Sequence, residues 1–313
     1  MRLDDLPESG NVEDRRGEGG FGGGGGFGLP IGGGGLSIGA IVALGLIGWA
    51  LGIDPSLLIG GAEVVTGPNR PQVQAPPTAR RTAAPQDDMG RFVSKVLGST
   101  ELQWKQIFAK DGRIYRPPVL VLYRGATHAS CGGEAQSAMG PFYCPADQKV
   151  YLDTSFFDQI ATRFRGCDAV SRTCQFSEAY VVAHEVGHHV QNLLGILPKA
   201  QQAQRAADSR AAANHIQVQV ELQADCLAGV WANRENEMLK NEGKPAFIEP
   251  GDVEAALRTA AAIGDDTLQR RARGYVVPDS FTHGSSEQRQ RWFNTGFRSG
   301  SVASCNTFAA AQL

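Results

Sequence analysis

Residues 176–195 read FSEAYVVAHEVGHHVQNLLG, and this stretch predicts a helix over residues 177–194. Its apolar residues recur at helical spacing, so one face of the helix can be buried in a core. Ser177 is a suitable N-cap, and Gly195 stands just beyond the last helical residue, where glycine is favoured. The apolar residues are Tyr180, Val181, Ala183, Val190, Leu193 and Leu194.

Two histidines lie four residues apart on this helix, with a glutamate directly after the first. Because four residues make about one helical turn, His184 and His188 leave the same face and can share one tetrahedral zinc ion. Glu185 can reach a metal-bound water and act as the general base for attack on a carbonyl. His189 is rotated off the ligand face and is interpreted as a supporting or surface residue. The alternative is two hydrogen-bonded histidines on an ordinary amphipathic helix.

A third ligand is expected because a catalytic zinc takes three protein ligands and leaves one position open. Glu221, 33 residues after the second histidine, lies in the apolar helical stretch HIQVQVELQADCLAGVW (215–231). Asp225 follows one turn later, where it can accept the N–H of a ligand histidine. Competing ligands are Asp225 itself, His215 and Cys226. The alternative to a metal site is that the two carboxylates lie on a solvated, acidic helix face.

The segment THGSSEQR (282–289) supplies the remaining candidate site residues. His283 precedes a predicted helix, where Ser285 and Gln288 can form a capping box. A donor at His283 can stabilise the oxyanion of a tetrahedral intermediate, and Arg289 can orient a nearby carboxylate. A lone histidine at a helix start is otherwise a cap or a surface residue.

Two strands and several further helices predict an α+β fold that is helix-rich in its C-terminal half. β-Branched, aromatic and apolar residues indicate strands at VLVLY (119–123) and KVYLD (149–153). Gly98 is expected to stop a helix over residues 92–97, and a capping box opens a second helix over residues 100–108. Further helices are predicted over residues 199–213, 214–240, 252–263 and 286–298.

Six cysteines all lie after residue 86, and their even number is typical of disulfide-bonded proteins in an oxidising compartment. Six cysteines allow 15 pairings, so spacing alone does not decide among them. The favoured pairing joins near neighbours first and leaves one long-range bridge. The alternative is six free thiols in the cytosol. The predicted pairs are Cys131–Cys144, Cys167–Cys174 and Cys226–Cys305.

The first 86 residues differ in composition from the rest of the chain. Residues 1–35 are expected to be a disordered tail, because residues 17–35 contain 13 glycines in 19 positions and ordering them costs much backbone entropy. Residues 36–53 are 18 residues without a charge, about the length that crosses a bilayer. Prolines make residues 54–86 an extended linker, and residues 87–313 form the globular domain.

The uncharged segment is therefore predicted to be an uncleaved transmembrane anchor. Arg15 and Arg16 precede it closely, whereas the next basic residue after it is Arg70. This asymmetry favours an N-terminus inside and a domain outside the membrane. A buried core helix and a cleaved signal peptide are the alternatives.

The overall composition excludes two classes of protein. Of the 313 residues, 42% are hydrophobic and 20% are charged, which is enough apolar material for a core and excludes wholesale disorder. The chain has 30 Lys and Arg against 32 Asp and Glu, for a net charge of −2. Without a basic excess, nucleic-acid binding by phosphate neutralisation is not expected.

Four segments together resemble the bacterial family of neutral zinc metallopeptidases: HEVGHHVQN, ELQADCLAGVW, GPFYCPADQKVYLD and THGSSEQRQRWF. The resemblance covers residues 87–313 and extends to the glycine-rich tail with its single anchor. It implies a small zincin fold of the gluzincin type with one Zn²⁺ per chain. The pattern is more distantly similar to membrane zinc proteases that include the CAAX-prenyl endopeptidases, which carry several membrane spans. The resemblance assigns His184, His188 and Glu221 as ligands, Glu185 as the base, and Asp225, His283 and Arg289 as supporting residues.

The chain is therefore expected to be a membrane-anchored zinc metalloendopeptidase outside a bacterial cytoplasmic membrane, cleaving peptide or protein substrates. In this fold class the substrate binds as an added strand along a sheet edge, for which Lys149–Asp153 is the candidate, preceded by Ala146 and Asp147. His128 is assigned no role, and the oligomeric state stays open. Two alternatives remain: a zinc-stabilised binding or scaffold protein without turnover, and a zinc hydrolase of a non-peptide amide such as a cell-wall bond.

Overall fold

The computed structural model describes residues 1–17, 85, 87–131, 133–136, 140–157 and 173–313. Within these ranges the fold is a helix-rich α+β structure, as predicted. The helices are α1 (Asp88–Lys110), α2 (Thr173–Leu193), α3 (Ile196–Arg205), α4 (Arg210–Asn241), α5 (Asp252–Ala262), α6 (Asp265–Arg273) and α7 (Ser286–Ser299). The strands are β1 (Val12–Asp14), β2 (Val119–Tyr123), β3 (Ala126–Ala129), β4 (Gly133–Gln136), β5 (Phe142–Cys144) and β6 (Lys149–Asp153).

The long helix α4 crosses α7 closely because two glycines leave room for the backbones. A Cβ atom on Gly296 would lie 1.9 Å from the carbonyl oxygen of Cys226, and one on Gly229 would lie 2.2 Å from that of Phe293. A larger residue at either position would push the helices apart. Helix α2 also packs against α4, so α4 lies between the elements that carry the candidate site residues.

A four-stranded sheet lies against the helices, in the strand order β1–β2–β6–β5. Strands β1, β2 and β6 run parallel, and β5 runs antiparallel to β6 with Tyr143 opposite Val150. Strands β3 and β4 form a separate antiparallel pair. One apolar core joins the sheet to the helices, where Leu122 and Leu152 from the sheet cluster with Val182 from α2.

The prediction that Lys149–Asp153 forms a sheet edge is wrong. This strand, β6, is hydrogen-bonded on both sides, to β2 and to β5. Within the described part of the chain the edges are β1 and β5, each three residues long. Strands this short show too little alternation of polar and apolar residues to be recognised from sequence. A substrate strand could be added beside β1 or β5, but not beside β6.

The start of the chain belongs to the folded domain, so the prediction of a disordered tail over residues 1–35 is wrong for residues 1–17. Leu6 and Val12 are buried in the main core, and β1 pairs in parallel with β2. The few apolar residues of this acidic segment suffice because they complete a core that the rest of the chain builds. The remainder of the predicted tail, residues 18–35, lies outside the described residues.

One continuous helix, α1, replaces the two short helices expected on either side of Gly98. A Cβ atom at Gly98 would lie 2.2 Å from the carbonyl oxygen of Pro7, so this glycine permits a close approach of the N-terminal segment. Thr100 donates its hydroxyl to the carbonyl of Leu97 at 2.7 Å and caps no helix. The N-cap is Asp87, whose side chain accepts a backbone N–H in the first turn.

The residues that flank the segment 18–86 lie in contact with each other. Arg16 forms an ion pair with Asp87 at 2.6 Å. The N-terminal segment and the start of α1 are therefore neighbours in the folded domain, and the predicted orientation across a membrane stays a prediction. The predicted span and nearly all of the predicted linker lie outside the described residues. No helix within the described ranges is long and apolar enough to cross a membrane.

Several helix ends differ from the predictions. Helix α2 begins at Thr173, so Ser177 lies inside it and is not its N-cap. The break before α4 falls at residues 206–209, earlier than expected, because Ser209 caps α4 by accepting an N–H of its first turn. Helix α6 has no counterpart among the predicted helices. The capping box at Ser285 is confirmed.

Two of the three predicted disulfides are confirmed. They are Cys131–Cys144 and Cys226–Cys305. Cys174 is also disulfide-bonded, and Cys167, its predicted partner, lies outside the described residues. The longer bridge fastens the C-terminal segment to the middle of α4.

Candidate metal centre

Three side chains from two packed helices meet at one point. Helix α2 carries His184 and His188, and α4 carries Glu221. Nε2 of His184 lies 3.2 Å from Oε2 of Glu221, and Nε2 of His188 lies 3.6 Å from the same oxygen. One possible ligand atom from each residue lies within 4.8 Å of the other two. The structure thus brings together the three residues that the sequence analysis proposed as ligands.

This set of donors fits a zinc ion. Two imidazoles and one carboxylate form a common catalytic zinc site, which leaves a fourth position open. Nδ1 of each histidine is hydrogen-bonded to a side chain outside the ligand set, so Nε2, which faces Glu221, is the nitrogen that can bind a metal. Gln217 donates to the other carboxylate oxygen of Glu221 at 2.9 Å, and Oε2 therefore faces the histidines.

The electrostatics of the group favour a cation. Burial would raise the pKa of Glu221, but the neighbouring histidines lower it well below its usual range, so the carboxylate stays ionised. Burial opposes protonation of His184, yet Asp225 and Glu221 raise the pKa of its ring to about 10. The carboxylates of Asp225 and Glu221 thus lie against this ring, and their negative charge also favours a metal cation.

A buried ion pair orients the ring of His184. Its Nδ1 lies 2.8 Å from Oδ1 of Asp225, and that carboxylate accepts two hydrogen bonds of 2.9 Å from Arg289. Tyr180 donates its hydroxyl to the same carboxylate at 2.5 Å. Burial opposes ionisation, but the charge of Arg289 lowers the pKa of Asp225 to about 2. An ionised carboxylate only accepts, so it keeps the N–H of His184 on Nδ1.

A neutral amide contacts the other histidine. Oε1 of Gln191 lies 2.9 Å from Nδ1 of His188. This contact was not predicted from the sequence. Gln191 follows His188 by three residues and is fully buried, and residues three apart are neighbours on a helix surface. A polar residue at that spacing from a ligand, on an apolar helix, is the signal that could have identified it.

Glu185 lies beside the first histidine with 7% of its surface exposed. Burial raises the pKa of its carboxyl above the usual value. A carboxyl with a raised pKa exchanges its proton more readily near neutral pH than an exposed one. Its position and environment therefore suit proton transfer next to the metal centre.

His283 is held by Asp265 from the start of α6. One carboxylate oxygen of Asp265 accepts the backbone N–H groups of residues 282–284, and the other lies 3.5 Å from the ring Nδ1 of His283. The histidine side chain is half exposed. Although desolvation opposes it, Asp265 raises the pKa of His283 to about 9. The ring is therefore a cationic donor at neutral pH, and its charge helps to lower the pKa of Glu221.

The other histidine and cysteine candidates lie outside this group. His189 is buried and hydrogen-bonded to the hydroxyl of Tyr143 and the carbonyl of Arg116, so it is not a surface residue. His215 is exposed on α4, and Cys226 is disulfide-bonded. Neither of these competing ligands is among the residues that converge at the centre.

Comparison with known proteins agrees with this metal centre. A family described as "Putative neutral zinc metallopeptidase" matches residues 1–308. The chain belongs to this family. Membership implies Zn²⁺ as the cofactor, and the His/His/Glu group offers the ligands. The match also includes the N-terminal segment that forms β1.

Relatives of similar length occur in Escherichia coli and Mycobacterium tuberculosis. The chain is 46% identical over 310 residues to uncharacterized protein YpfJ of Escherichia coli K12, covering 98% of this chain and 99% of that protein. It is 42% identical over 234 residues to uncharacterized protein Rv2575 of Mycobacterium tuberculosis, covering 72% and 74% respectively. No solved structure is significantly similar to the chain.

Proposed function

We propose that this protein is a zinc metalloendopeptidase of the gluzincin type. The observation that carries the proposal is the convergence of His184, His188 and Glu221, with Glu185 beside them, in a member of this family. The two histidines would hold Zn²⁺ through Nε2, and Glu221 through Oε2. Bound there, the ion would polarise a peptide carbonyl and acidify a water at its open position.

Glu185 transfers the proton in this reaction, and His283 stabilises the oxyanion. The carboxylate of Glu185 accepts a proton from the attacking water and passes it to the amine nitrogen of the leaving group. Its raised pKa brings acceptance and release of the proton closer together in energy. The cationic ring of His283 donates a hydrogen bond to the oxyanion, in an orientation that Asp265 maintains.

The test is cleavage of an unstructured peptide library by the full chain, which is required because residues 1–17 are part of the fold. Glu185→Gln keeps the size of the side chain and removes the base. We expect the variant to bind one zinc per chain, as the wild type does, and its turnover to fall roughly 10²–10⁴-fold, the usual contribution of a general base.

Glu254→Gln is the matched control, because it makes the same change at an exposed position on α5. It should cleave at the wild-type rate. Turnover by Glu185→Gln at the wild-type rate would contradict the role given to this residue. A wild type that binds zinc but cleaves no peptide would contradict the peptidase and support one of the two alternatives, the scaffold or the amide hydrolase.

We also propose that the domain folds and acts on the extracytoplasmic side of a membrane with which residues 36–53 associate. The paired cysteines support an oxidising compartment. The contact between Arg16 and Asp87 supports a topology in which the chain enters and leaves the membrane on one side. Epitope tags inserted after Gly17 and at the C-terminus should both be accessible on intact spheroplasts. Access to one tag alone would contradict this topology.

A further inference from the structure

A chain of buried hydrogen bonds leads from the metal centre to the C-terminal segment. Nδ1 of His188 lies 2.9 Å from Oε1 of Gln191. Nε2 of Gln191 donates to Oε1 of Gln223 at 3.0 Å, and Nε2 of Gln223 donates to the backbone carbonyl of Cys305 at 2.8 Å. Gln191, Gln223 and Cys305 are each at most 6% exposed, so solvent cannot replace these partners.

Two backbone carbonyls determine the direction of every bond in this chain. Gln191 also donates to the carbonyl of Val220 at 2.8 Å, and Gln223 donates to that of Cys305. A carbonyl can only accept, so the NH₂ group of each glutamine must face it. Oε1 of Gln191 is then left facing His188 and can only accept. The proton of a neutral His188 ring must therefore lie on Nδ1, which leaves the lone pair of Nε2 for a metal.

We propose that Gln191 is the positioning residue for His188, and that Gln223 and the Cys305 carbonyl hold it in place. The inference rests on the proposed zinc site and adds to it a second set of residues outside the ligands. Hydrogen-bonded partners of this kind set the tautomer and the ring orientation of a ligand histidine. An apolar residue in place of Gln191 would leave a buried ring N–H without an acceptor.

The far end of the chain is fastened to the helix that carries Glu221. The disulfide Cys226–Cys305 joins the C-terminal segment to α4 with a Cα–Cα distance of 5.5 Å. Thr307 adds a hydrogen bond of 2.7 Å from its hydroxyl to the carbonyl of Gln219. The Cys305 carbonyl is thus held relative to α4, so ligands on both helices are positioned against the same element.

The first experiment compares zinc affinity, by chelator competition, in the full-length wild type, Gln191→Met and Gln103→Met. Gln103 is the matched control: it is a buried glutamine on α1 that donates to Glu235 at 2.9 Å. Glu235 lies 14 residues beyond Glu221 on α4, about 21 Å along the helix. We expect Gln191→Met to bind zinc about 10- to 100-fold more weakly than wild type, and Gln103→Met to bind with wild-type affinity.

The second experiment needs no metal. Long-range ¹H–¹⁵N spectra of the zinc-free protein, recorded above the pKa of the ring, report which nitrogen of His188 carries the proton. The wild type should show the Nδ1–H tautomer, and Gln191→Met should lose this preference. Gln223→Met reaches His188 only through Gln191, and it should shift both readouts in the same direction by less. It also serves as the test variant if Gln191→Met does not fold.

The outcomes separate this inference from the proposed function. An Nε2–H tautomer in the wild type, or unchanged zinc affinity in Gln191→Met and Gln223→Met, would overturn the positioning role. Absence of peptide cleavage in the wild type, or its loss in every variant, would concern only the proposed function. The tautomer of His188 would still test the positioning role of Gln191.

Discussion

His184 and His188 each leave Nε2 for the metal centre and bind a partner through Nδ1, but the partners differ in charge. Behind His184 stands the buried carboxylate of Asp225, paired with Arg289. Behind His188 stands the neutral amide of Gln191. Both partners act as acceptors, so each favours the same tautomer by different means.

The carboxylate of Asp225 is the stronger hydrogen-bond acceptor of the two partners, but it needs more support from its surroundings than the amide of Gln191. A carboxylate that accepts the N–H of a ligand histidine makes that histidine a more basic ligand. In a buried site, however, the negative charge of the carboxylate needs a counter-charge. Asp225 is fully buried, and Arg289 with Tyr180 supplies the compensation. The amide partner needs no counter-charge, only acceptors for its NH₂ group. It therefore depends on the position of backbone carbonyls, which the fold must supply.

We expect the largest effect from Arg289→Met, which removes the ion pair between Arg289 and Asp225. The substitution keeps much of the side-chain volume and leaves the carboxylate of Asp225 buried without its counter-charge. We expect the free energy of unfolding to fall by about 3–5 kcal/mol, the usual cost of orphaning one member of a buried ion pair. Zinc affinity should fall about hundredfold, because Asp225 can then protonate and release Nδ1 of His184.

Urea unfolding and chelator competition measure the two quantities. Arg298→Met is the control, since Arg298 lies on the same helix, α7, but is exposed. It should change the free energy of unfolding by no more than about 0.5 kcal/mol. If Arg289→Met kept wild-type zinc affinity, the charged partner would serve stability alone, and the contrast with His188 would have to be abandoned.

The charged partner was predicted from sequence, whereas the neutral one was missed, although Gln191 stands three residues after His188. Asp225 stands one helical turn from Glu221, and Arg289 follows His283 in a polar segment at a helix start, so local spacing and residue type identify both. Beyond that spacing, the side chains of Gln191 and Gln223 carry no chemistry that marks them as functional. Their shared anchor is a backbone carbonyl 82 residues beyond Gln223, and no sequence pattern encodes such a partner.

The same limit explains the errors in the fold. Helix α2 and the strands Val119–Tyr123 and Lys149–Asp153 follow from periodicity and composition within a few residues. Strand β1 is three residues long and pairs with a strand more than 100 residues later in the chain. Its stability comes from that distant partner and from a core that it completes, so its own composition resembles a disordered segment.

A smaller effect should follow from loosening the anchor of the neutral partner with the double variant Cys226→Ala, Cys305→Ala. The control is Cys131→Ala, Cys144→Ala, which removes the disulfide at the end of β5 and leaves the hydrogen bonds of Gln191 and Gln223 in place. Each pair should lower the free energy of unfolding by about 2–4 kcal/mol. Stability alone therefore cannot distinguish them, but zinc affinity can.

We expect the first pair to weaken zinc binding by less than about tenfold and the control pair to leave it unchanged. The loss is small because Thr307 still holds the C-terminal segment to α4 when the disulfide is absent. Equal losses in both pairs would mean that zinc affinity follows global stability. An effect confined to the first pair would mean that a covalent bond in the C-terminal segment sets the geometry of a histidine on another helix, through two neutral amides.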